Sequence, residues 1–307
     1  MTVGVKLALG ALLALVLGGC RFSLPDDLYQ LHSMEGKCPE LEDEALAERI
    51  RAFGPTTPSA ELKCALWQLR TMRPADIHQT AAPAKVCYLL ADRHLDESDR
   101  ERLASEGVRW AEIALDGAPA QALYGIRGDG TVEEGRACYY LAVNLGIAVH
   151  DHTALAVKNL KRLVGELETA VRLSPDEERG GPLRVLGLLY LMAPPWPQGV
   201  GDGDKALTLL EQAAGHYPGH PLNHIFYAQA LWELEGESAE QRVKCELDRG
   251  KKLLASGAWG KARDRWRKLL RKLAREADVE LVPLNNGQDE AAGAADSEAD
   301  SEADSGS

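Results

Sequence analysis

Apolar residues recur with a helical period along most of this 307-residue chain. From Asp43 to about Glu276 they lie three and four residues apart, and glycine and proline fall between the periodic segments. Strand-like alternation never lasts more than a few residues. The pattern therefore predicts an all-α body of eleven helices. The expected ranges are 43–52, 59–72, 83–94, 98–115, 133–149, 154–173, 181–192, 203–216, 221–234, 238–255 and 257–276.

Small residues recur within these helices at the spacing of helical hairpins. In a tetratricopeptide (TPR) unit, small residues let two helices approach closely, and a proline follows the second helix. Three alanines each precede a proline by five positions, which favours a TPR-like helical-hairpin solenoid over the alternative, an unrelated antiparallel bundle. The fullest match is Gly187, Tyr190, Ala206, Ala213 and Pro218, with Leu210 at the aromatic position. The second-helix spacing recurs at Gly107, Ala111, Ala114 and Pro119, and at Ala170 and Pro175.

One predicted turn is longer than a TPR hairpin needs. Residues 193–204 hold three prolines, three glycines and Trp196. The prolines stiffen the loop, the glycines permit tight folding, and Asp202 or Asp204 can cap the next helix. Two interpretations of the tryptophan stay open: Trp196 is presented to a partner or ligand, or it plugs the groove between hairpins.

The N-terminus has the composition of a lipoprotein signal peptide. Lys6 supplies a positive charge, residues 7–17 form an apolar run, and Gly18, Gly19 and Cys20 follow. The run is about half the ~20 residues of a membrane-spanning helix and fits a signal peptide. An ordinary secretory signal with an incidental cysteine is the alternative. The agreement of charge, length and small residues favours cleavage before Cys20 and its lipidation, for example with palmitate, so that acyl chains anchor the protein to a membrane.

Charge is distributed unevenly along the chain. Of the formal −12, seven acids lie in residues 289–304 without a base. Subtracting them and the single base of the signal peptide leaves −6 for the body, which is not that of a nucleic-acid binder. The acidic segment is expected to be disordered. The predicted divisions are a signal peptide at 1–19, a tether at 20–42, a helical domain at 43–277 and an acidic tail at 278–307.

The last predicted helix, 257–276, is amphipathic and strongly basic. Such a helix can lie on anionic lipid. The favoured alternative is the polar cap that a solenoid needs at its end. Its bases are Lys261, Arg263, Arg265, Arg267, Lys268, Arg271, Lys272 and Arg275.

No catalytic or metal-binding pattern emerges from the remaining residues. Nucleophile-elbow, P-loop, HExxH and zinc-type cysteine spacings are missing from the sequence. The histidines of His150-Asp151-His152 point apart in a helix, so a helix end is favoured over a metal site. We predict no enzyme, metal or cofactor. Export permits disulfides, and we expect zero to two bridges among an odd number of cysteines. These are Cys38, Cys64, Cys87, Cys138 and Cys245.

Residues 180–235 resemble the TRAP-transporter-associated TPR lipoproteins, the TatT-like family. The resemblance implies a periplasmic helical protein that self-associates and works beside the solute-binding subunit of a TRAP transporter for small organic acids or other hydrophobic ligands. It is carried by Gly187–Tyr190, Ala193-Pro194, Trp196-Pro197, Gly201-Asp202, Lys205-Ala206-Leu207, Tyr217-Pro218, Leu222-Asn223-His224 and Tyr227-Ala228. Within this segment the candidate partner-binding or ligand-binding residues are Trp196, Asn223, His224 and Tyr227.

A second functional class stays open beside the transport accessory. A TPR lipoprotein can also serve as an assembly factor for the outer membrane or a surface machine, with an extended peptide in its groove. Arg21, rather than aspartate, follows the lipidated cysteine and favours the outer membrane, facing the periplasm.

Overall fold

The computed structural model describes residues 36, 38–71, 76–93, 96–116, 130–150, 153–260 and 262–282. The predicted signal peptide, Cys20 and residues 289–304 lie outside this part of the chain. Within the described ranges the ordered elements are α-helices and short 3₁₀ turns, without a β-strand, which confirms the all-α prediction. The helices are α1 Asp43–Arg51, α2 Ser59–Thr71, α3 Ala82–Ala91, α4 Glu97–Asp116, α5 Val132–Ala148, α6 Thr153–Leu173, α7 Gly181–Met192, α8 Gly203–His216, α9 Pro221–Glu235, α10 Glu240–Ser256 and α11 Ala262–Glu276.

Successive helices pack as hairpins in a two-layered solenoid. Helix α3 packs on α4, α5 on α6, α7 on α8, and α9 on α10. The first helices α3, α5, α7 and α9 also contact one another in sequence and form the inner layer. This arrangement confirms the predicted helical solenoid.

Glycines set the closeness of several helix contacts. A Cβ atom at Gly187 would lie 2.7 Å from Leu210 Cγ, so α7 and α8 approach more closely than any side chain there would allow. A Cβ at Gly107 would lie 2.3 Å from Asn144 Oδ1, where α4 crosses α5. Small residues therefore lie where neighbouring helices approach closely, as their spacing predicted.

Side chains cap the start of several helices, among them α5, α8 and α9. Thr131 accepts a hydrogen bond from the Glu134 backbone N–H at α5, and Asp202 accepts one from Lys205 at α8, 3.1 Å long in each case. His220 Nδ1 accepts from the Leu222 N–H at the start of α9, and Pro221 occupies the first helical position. These groups satisfy backbone donors that the first turn leaves unpaired.

The prediction of a helix beginning at residue 257 is wrong, because α11 begins at Ala262. Gly257 is extended and ends α10. Trp259 then folds back and donates its indole N–H to the Leu253 carbonyl oxygen over 2.7 Å. Arg263 donates to the Gly257 carbonyl oxygen over 2.9 Å. Side chains thus satisfy the terminal carbonyls of α10, and the chain reverses before α11 begins.

The two ends of the solenoid meet over its inner layer. Arg265 of α11 forms an ion pair with Asp92 at the end of α3, where its Nη2 lies 2.7 and 2.8 Å from the two carboxylate oxygens. A Cβ at Gly260 would lie 2.4 Å from the Pro55 carbonyl oxygen in the loop between α1 and α2. Arg93 fastens the same loop by donating to the Gly54 carbonyl oxygen over 2.9 Å. Helix α11 and the α1–α2 loop therefore cover part of the inner layer.

One disulfide forms among the described cysteines. Cys38 is bonded to Cys64 of α2, while Cys87 and Cys138 are buried thiols and Cys245 is an exposed thiol. The outcome falls within the expected zero to two bridges. It fastens the described end of the predicted tether, residues 38–42, onto α2.

Candidate functional site

An enclosed carboxylate lies where the inner layer meets the turn between α6 and α7. Glu177 Oε1 accepts a hydrogen bond from the Tyr140 hydroxyl over 2.5 Å and lies 3.5 Å from Lys85 Nζ. Its Oε2 accepts from Arg136 Nε over 3.1 Å. Side chains of α3 and α5 thus place two cations and a hydroxyl donor around one carboxylate. Charge-assisted hydrogen bonds of this kind are the stronger ones in proteins.

A cavity of about 50 Å³ adjoins the Glu177 carboxylate. A cavity needs about 10–15 Å³ to hold one water molecule, so this one has room for a few waters or the head of a small ligand. It lies between α1, the start of α3 and the middle of α5. Its walls are Ala47, Ile50, Arg51, Thr80, Ala81, Ala82, Lys85, Glu133, Arg136, Tyr140 and Glu177.

A second carboxylate closes the other side of the cavity. Glu133 Oε1 accepts from the Ala81 backbone N–H over 2.7 Å, at the start of α3. Its Oε2 accepts from Arg136 Nη1 over 3.2 Å. The start of a helix carries partial positive charge and unpaired N–H groups, which favours an anion there. The cavity wall therefore has two groups of anion-binding donors. Glu177 occupies one of them and Glu133 occupies the other.

Two buried tyrosines of α5 lie beside these charges, and one of them, Tyr140, lines the cavity. Tyr139 and Tyr140 are each 1% exposed, with ring centroids 5.1 Å apart. Burial, reinforced by the nearby Glu178 carboxylate, raises the pKa of both phenols well above the usual value. They therefore stay protonated and act as hydrogen-bond donors. Tyr139 donates to Glu178 Oε2 over 2.8 Å. Burial also raises the pKa of Glu178, and Arg184 and the Tyr139 hydroxyl oppose that rise.

The candidate residue Asn223 is fully buried between helices. Its Oδ1 accepts from Arg184 Nη1 over 2.7 Å. Its Nδ2 faces three backbone carbonyl oxygens, those of Arg179, Ala213 and Tyr217, at 3.0, 3.1 and 2.8 Å. The amide thus joins α7, α8 and α9 through contacts within the chain.

The candidate residues His224 and Tyr227 also make their polar contacts inside the chain. His224 is 3% exposed, and its ring nitrogens lie 2.6 Å from Glu246 Oε2 and 2.9 Å from the Pro218 carbonyl oxygen. The Tyr227 hydroxyl donates to Glu211 over 3.2 Å and accepts from Arg242 over 2.9 Å. The predicted binding role of these residues and of Asn223 stays a prediction.

The candidate residue Trp196 occupies a different environment, on the surface. Its side chain is 84% exposed, so it does not fill the groove between hairpins. The Gly201 N–H donates to the Pro194 carbonyl oxygen over 2.8 Å and closes the loop. An isolated β-bridge pairs Pro195 with Gly201. Of the two interpretations of this tryptophan, exposure favours presentation.

Replacing Trp196 with alanine should change the free energy of unfolding by no more than about 0.5 kcal/mol, because an exposed side chain buries little surface. Urea denaturation measures the change. Trp266→Ala is the matched control, since Trp266 is 8% exposed against the core. That control should cost about 3–5 kcal/mol. Equal losses in the two variants would contradict an exposed Trp196.

Sequence reasoning missed Lys85, Arg136 and Glu177. One signal was available, because Lys85 is the single charged residue of the otherwise apolar segment 82–91. A lysine there is 7% exposed only because Glu177 and the Arg51 carbonyl oxygen lie beside its ammonium group. Glu177, 92 positions away, carried no comparable signal in the sequence.

The His150-Asp151-His152 group is described only at His150, which lies in the turn after α5. Among the residues that the structure describes, no three His, Cys, Asp or Glu side chains are grouped to hold a metal ion. Among these same described residues, no helix is long and apolar enough to cross a membrane. No protein-family model matches this chain, and comparison with characterised proteins finds no match. The resemblance to the TatT-like family therefore stays a prediction.

Proposed function

We propose that this chain is a non-enzymatic, lipid-anchored binding or scaffold protein that handles a small organic acid beside a TRAP-type transporter. The supporting observation is the enclosed Glu177 carboxylate next to a cavity, held by Lys85, Arg136 and the Tyr140 hydroxyl. An organic acid presents the same carboxylate group. It can therefore exchange with Glu177 on the same donors, while its apolar part lies against Ala47 and Ile50.

The covered inner layer favours a small ligand over an extended peptide. An assembly factor that holds a peptide needs an accessible groove along its inner helices. Here α11 reaches the end of α3 through the Arg265–Asp92 ion pair, and Gly260 lies against Pro55. A peptide would have to separate these contacts, whereas a small acid needs only the cavity.

Calorimetric titration of the chain with small organic acids, such as pyruvate, tests the proposal. The native chain should bind at least one member of a panel of such acids. Arg136→Gln should weaken that binding at least about tenfold, because it removes one charge-assisted donor. Lys158→Gln, at an exposed position on α6, is the matched control and should bind like the native chain. Equal affinities of folded Arg136→Gln and native chains, or no binding by the native chain, would contradict the proposed site.

The exposed tryptophan loop is the proposed contact for a protein partner, a periplasmic solute-binding subunit. Aromatic side chains that protrude from a rigid support often dominate binding energy. Trp196→Ala, which should stay folded, is expected to reduce capture of a TRAP-type solute-binding protein at least about tenfold. Full capture by the folded variant would remove the loop from the proposed interface.

The proposed anchor is the lipid on Cys20, with the protein on the outer membrane and facing the periplasm. Replacing Cys20 with serine should leave the protein soluble or unprocessed, because serine lacks the thiol that accepts lipid. Metabolic labelling with a fatty acid, followed by membrane fractionation, measures the outcome. Lys6→Gln keeps Cys20 and serves as a control for altered export. Label that persists on the Cys20→Ser chain would contradict lipidation at this residue.

A further inference from the structure

Helix α11 carries a row of exposed cations, Lys268, Arg271, Lys272 and Arg275, which we term the basic stripe. Their spacing of three and four residues places them on one face. Seven bases and two acids give α11 a net charge of +5, on a body whose net charge is negative. Only Lys272 of the stripe lies near a carboxylate of its own helix, with Glu276 at 3.7 Å.

The chain turns back after α11 and runs along α10. The Val279 N–H donates to the Ala274 carbonyl oxygen over 2.9 Å, which closes the turn. The Val282 N–H then donates to Asp248 over 3.0 Å, and Lys251 donates to the Val282 carbonyl oxygen over 2.8 Å. Because α10 and α11 are neighbours, the described chain ends at Val282 beside the helix that packs on α11.

The length of the intervening chain lets residues 289–304 reach the stripe. Asp289 lies seven positions after Val282, with six residues between them. Extended chain covers about 3.4 Å per residue, so this segment spans up to about 24 Å. Helix α11 itself is about 22 Å long at 1.5 Å per residue. The linker can therefore span a distance about equal to the length of the helix that carries the stripe.

We propose that residues 289–304 of this same chain dock on the basic stripe of α11. They carry seven carboxylates and no base, opposite four exposed cations. Tethering by a short linker gives the acids an effective concentration of the order of millimolar at the stripe. Opposite charge and proximity together select this occupant, and the docked acids screen the stripe from other anions.

The burial of α11 disfavours an anionic membrane as the occupant. An amphipathic helix binds lipid by inserting its apolar face. Trp266, Leu270 and Leu273 are only 8, 3 and 4% exposed, because that face packs into the solenoid core. Only electrostatic attraction would then hold α11 on an anionic membrane. The negative charges of the body and of the acidic segment oppose that attraction.

Carbodiimide cross-linking of the full-length chain in detergent tests the docking. This zero-length reagent joins a carboxylate to a lysine amine, and mass spectrometry identifies the joined residues. Cross-links from residues 289–304 to Lys268 and Lys272 should exceed those to the exposed Lys158 and Lys205 at least about tenfold. They should be lost at about 0.5 M salt, which shortens electrostatic range to a few ångströms.

Two variants separate docking from random encounter. Arg271→Gln with Arg275→Gln keeps both reporter lysines but removes half the stripe charge, and should lower the cross-link yield at least about threefold. Replacing the seven acids by Asn and Gln should raise the acetylation rate of Lys268 and Lys272 to that of Lys158. Even cross-linking across all exposed lysines, or insensitivity to the arginine changes, would overturn the proposal. Protection of the two lysines that persists without the acids would assign the stripe to another occupant, such as a second copy, and would also overturn it.

Discussion

Replacing Asn223 with leucine should lower the free energy of unfolding by about 3–5 kcal/mol. Leucine has a similar volume, but it leaves the Arg184 guanidinium, 4% exposed, without its acceptor. It also removes the donor that faces the Arg179, Ala213 and Tyr217 carbonyl oxygens. A buried guanidinium that loses its hydrogen-bond acceptor costs more than the hydrogen bond itself, because its N–H group is desolvated without compensation. Urea denaturation of the purified chain measures the loss.

Gln229→Leu is the matched control for Asn223→Leu. It makes the same amide-to-leucine change on α9, where Gln229 donates to Glu233 at the surface over 2.7 Å. The control should change stability by no more than about 0.5 kcal/mol. Equal stability of the two variants would show that the Asn223 amide is dispensable for folding. It would then favour the binding role that the sequence predicted for this residue.

Acid should destabilise the protein through His220. Burial, assisted by Arg184, Arg179 and His224, lowers the pKa of His220 from 6.5 to about 2. Below pH 6.5 the unfolded chain therefore binds a proton that folded His220 does not. Stability rises with pH between about 2 and 6.5 and falls as the pH is lowered through that window. The slope contributed by this group approaches about 1.4 kcal/mol per pH unit.

His220→Asn isolates this contribution. Asparagine can replace the ring nitrogen as acceptor for the Leu222 N–H, so α9 keeps a cap. Glu178 acts in the opposite direction, since burial raises its pKa, but it is present in both proteins. Denaturation at several pH values from about 6.5 to 4.5 should give a slope about 1 kcal/mol per pH unit smaller for the variant. Identical slopes would mean that His220 is accessible to protons in the folded chain.

Much of the fold could be predicted from the sequence, because helix periodicity and breakers are local signals. The helices fall close to their expected ranges, and Gly187 and Ala206 lie at a close helix contact as their spacing predicted. The start of the last helix was misplaced by five residues, at 257 instead of Ala262. Residues 257–260 contain two glycines, which disfavour a helix, and the Trp259 indole is used to cap α10.

The sequence by itself determined the all-α hairpin architecture and the polarity of α11, since each depends on residues within a few turns of one another. Only the tertiary structure decided the pairing of Cys38 with Cys64, the exposure of Trp196 and the meeting of Lys85, Arg136 and Glu177. It also decided that Asn223 and His224 serve contacts between helices. Each depends on which helices become neighbours across dozens of residues, and that is set by the packing of the whole solenoid rather than by local spacing.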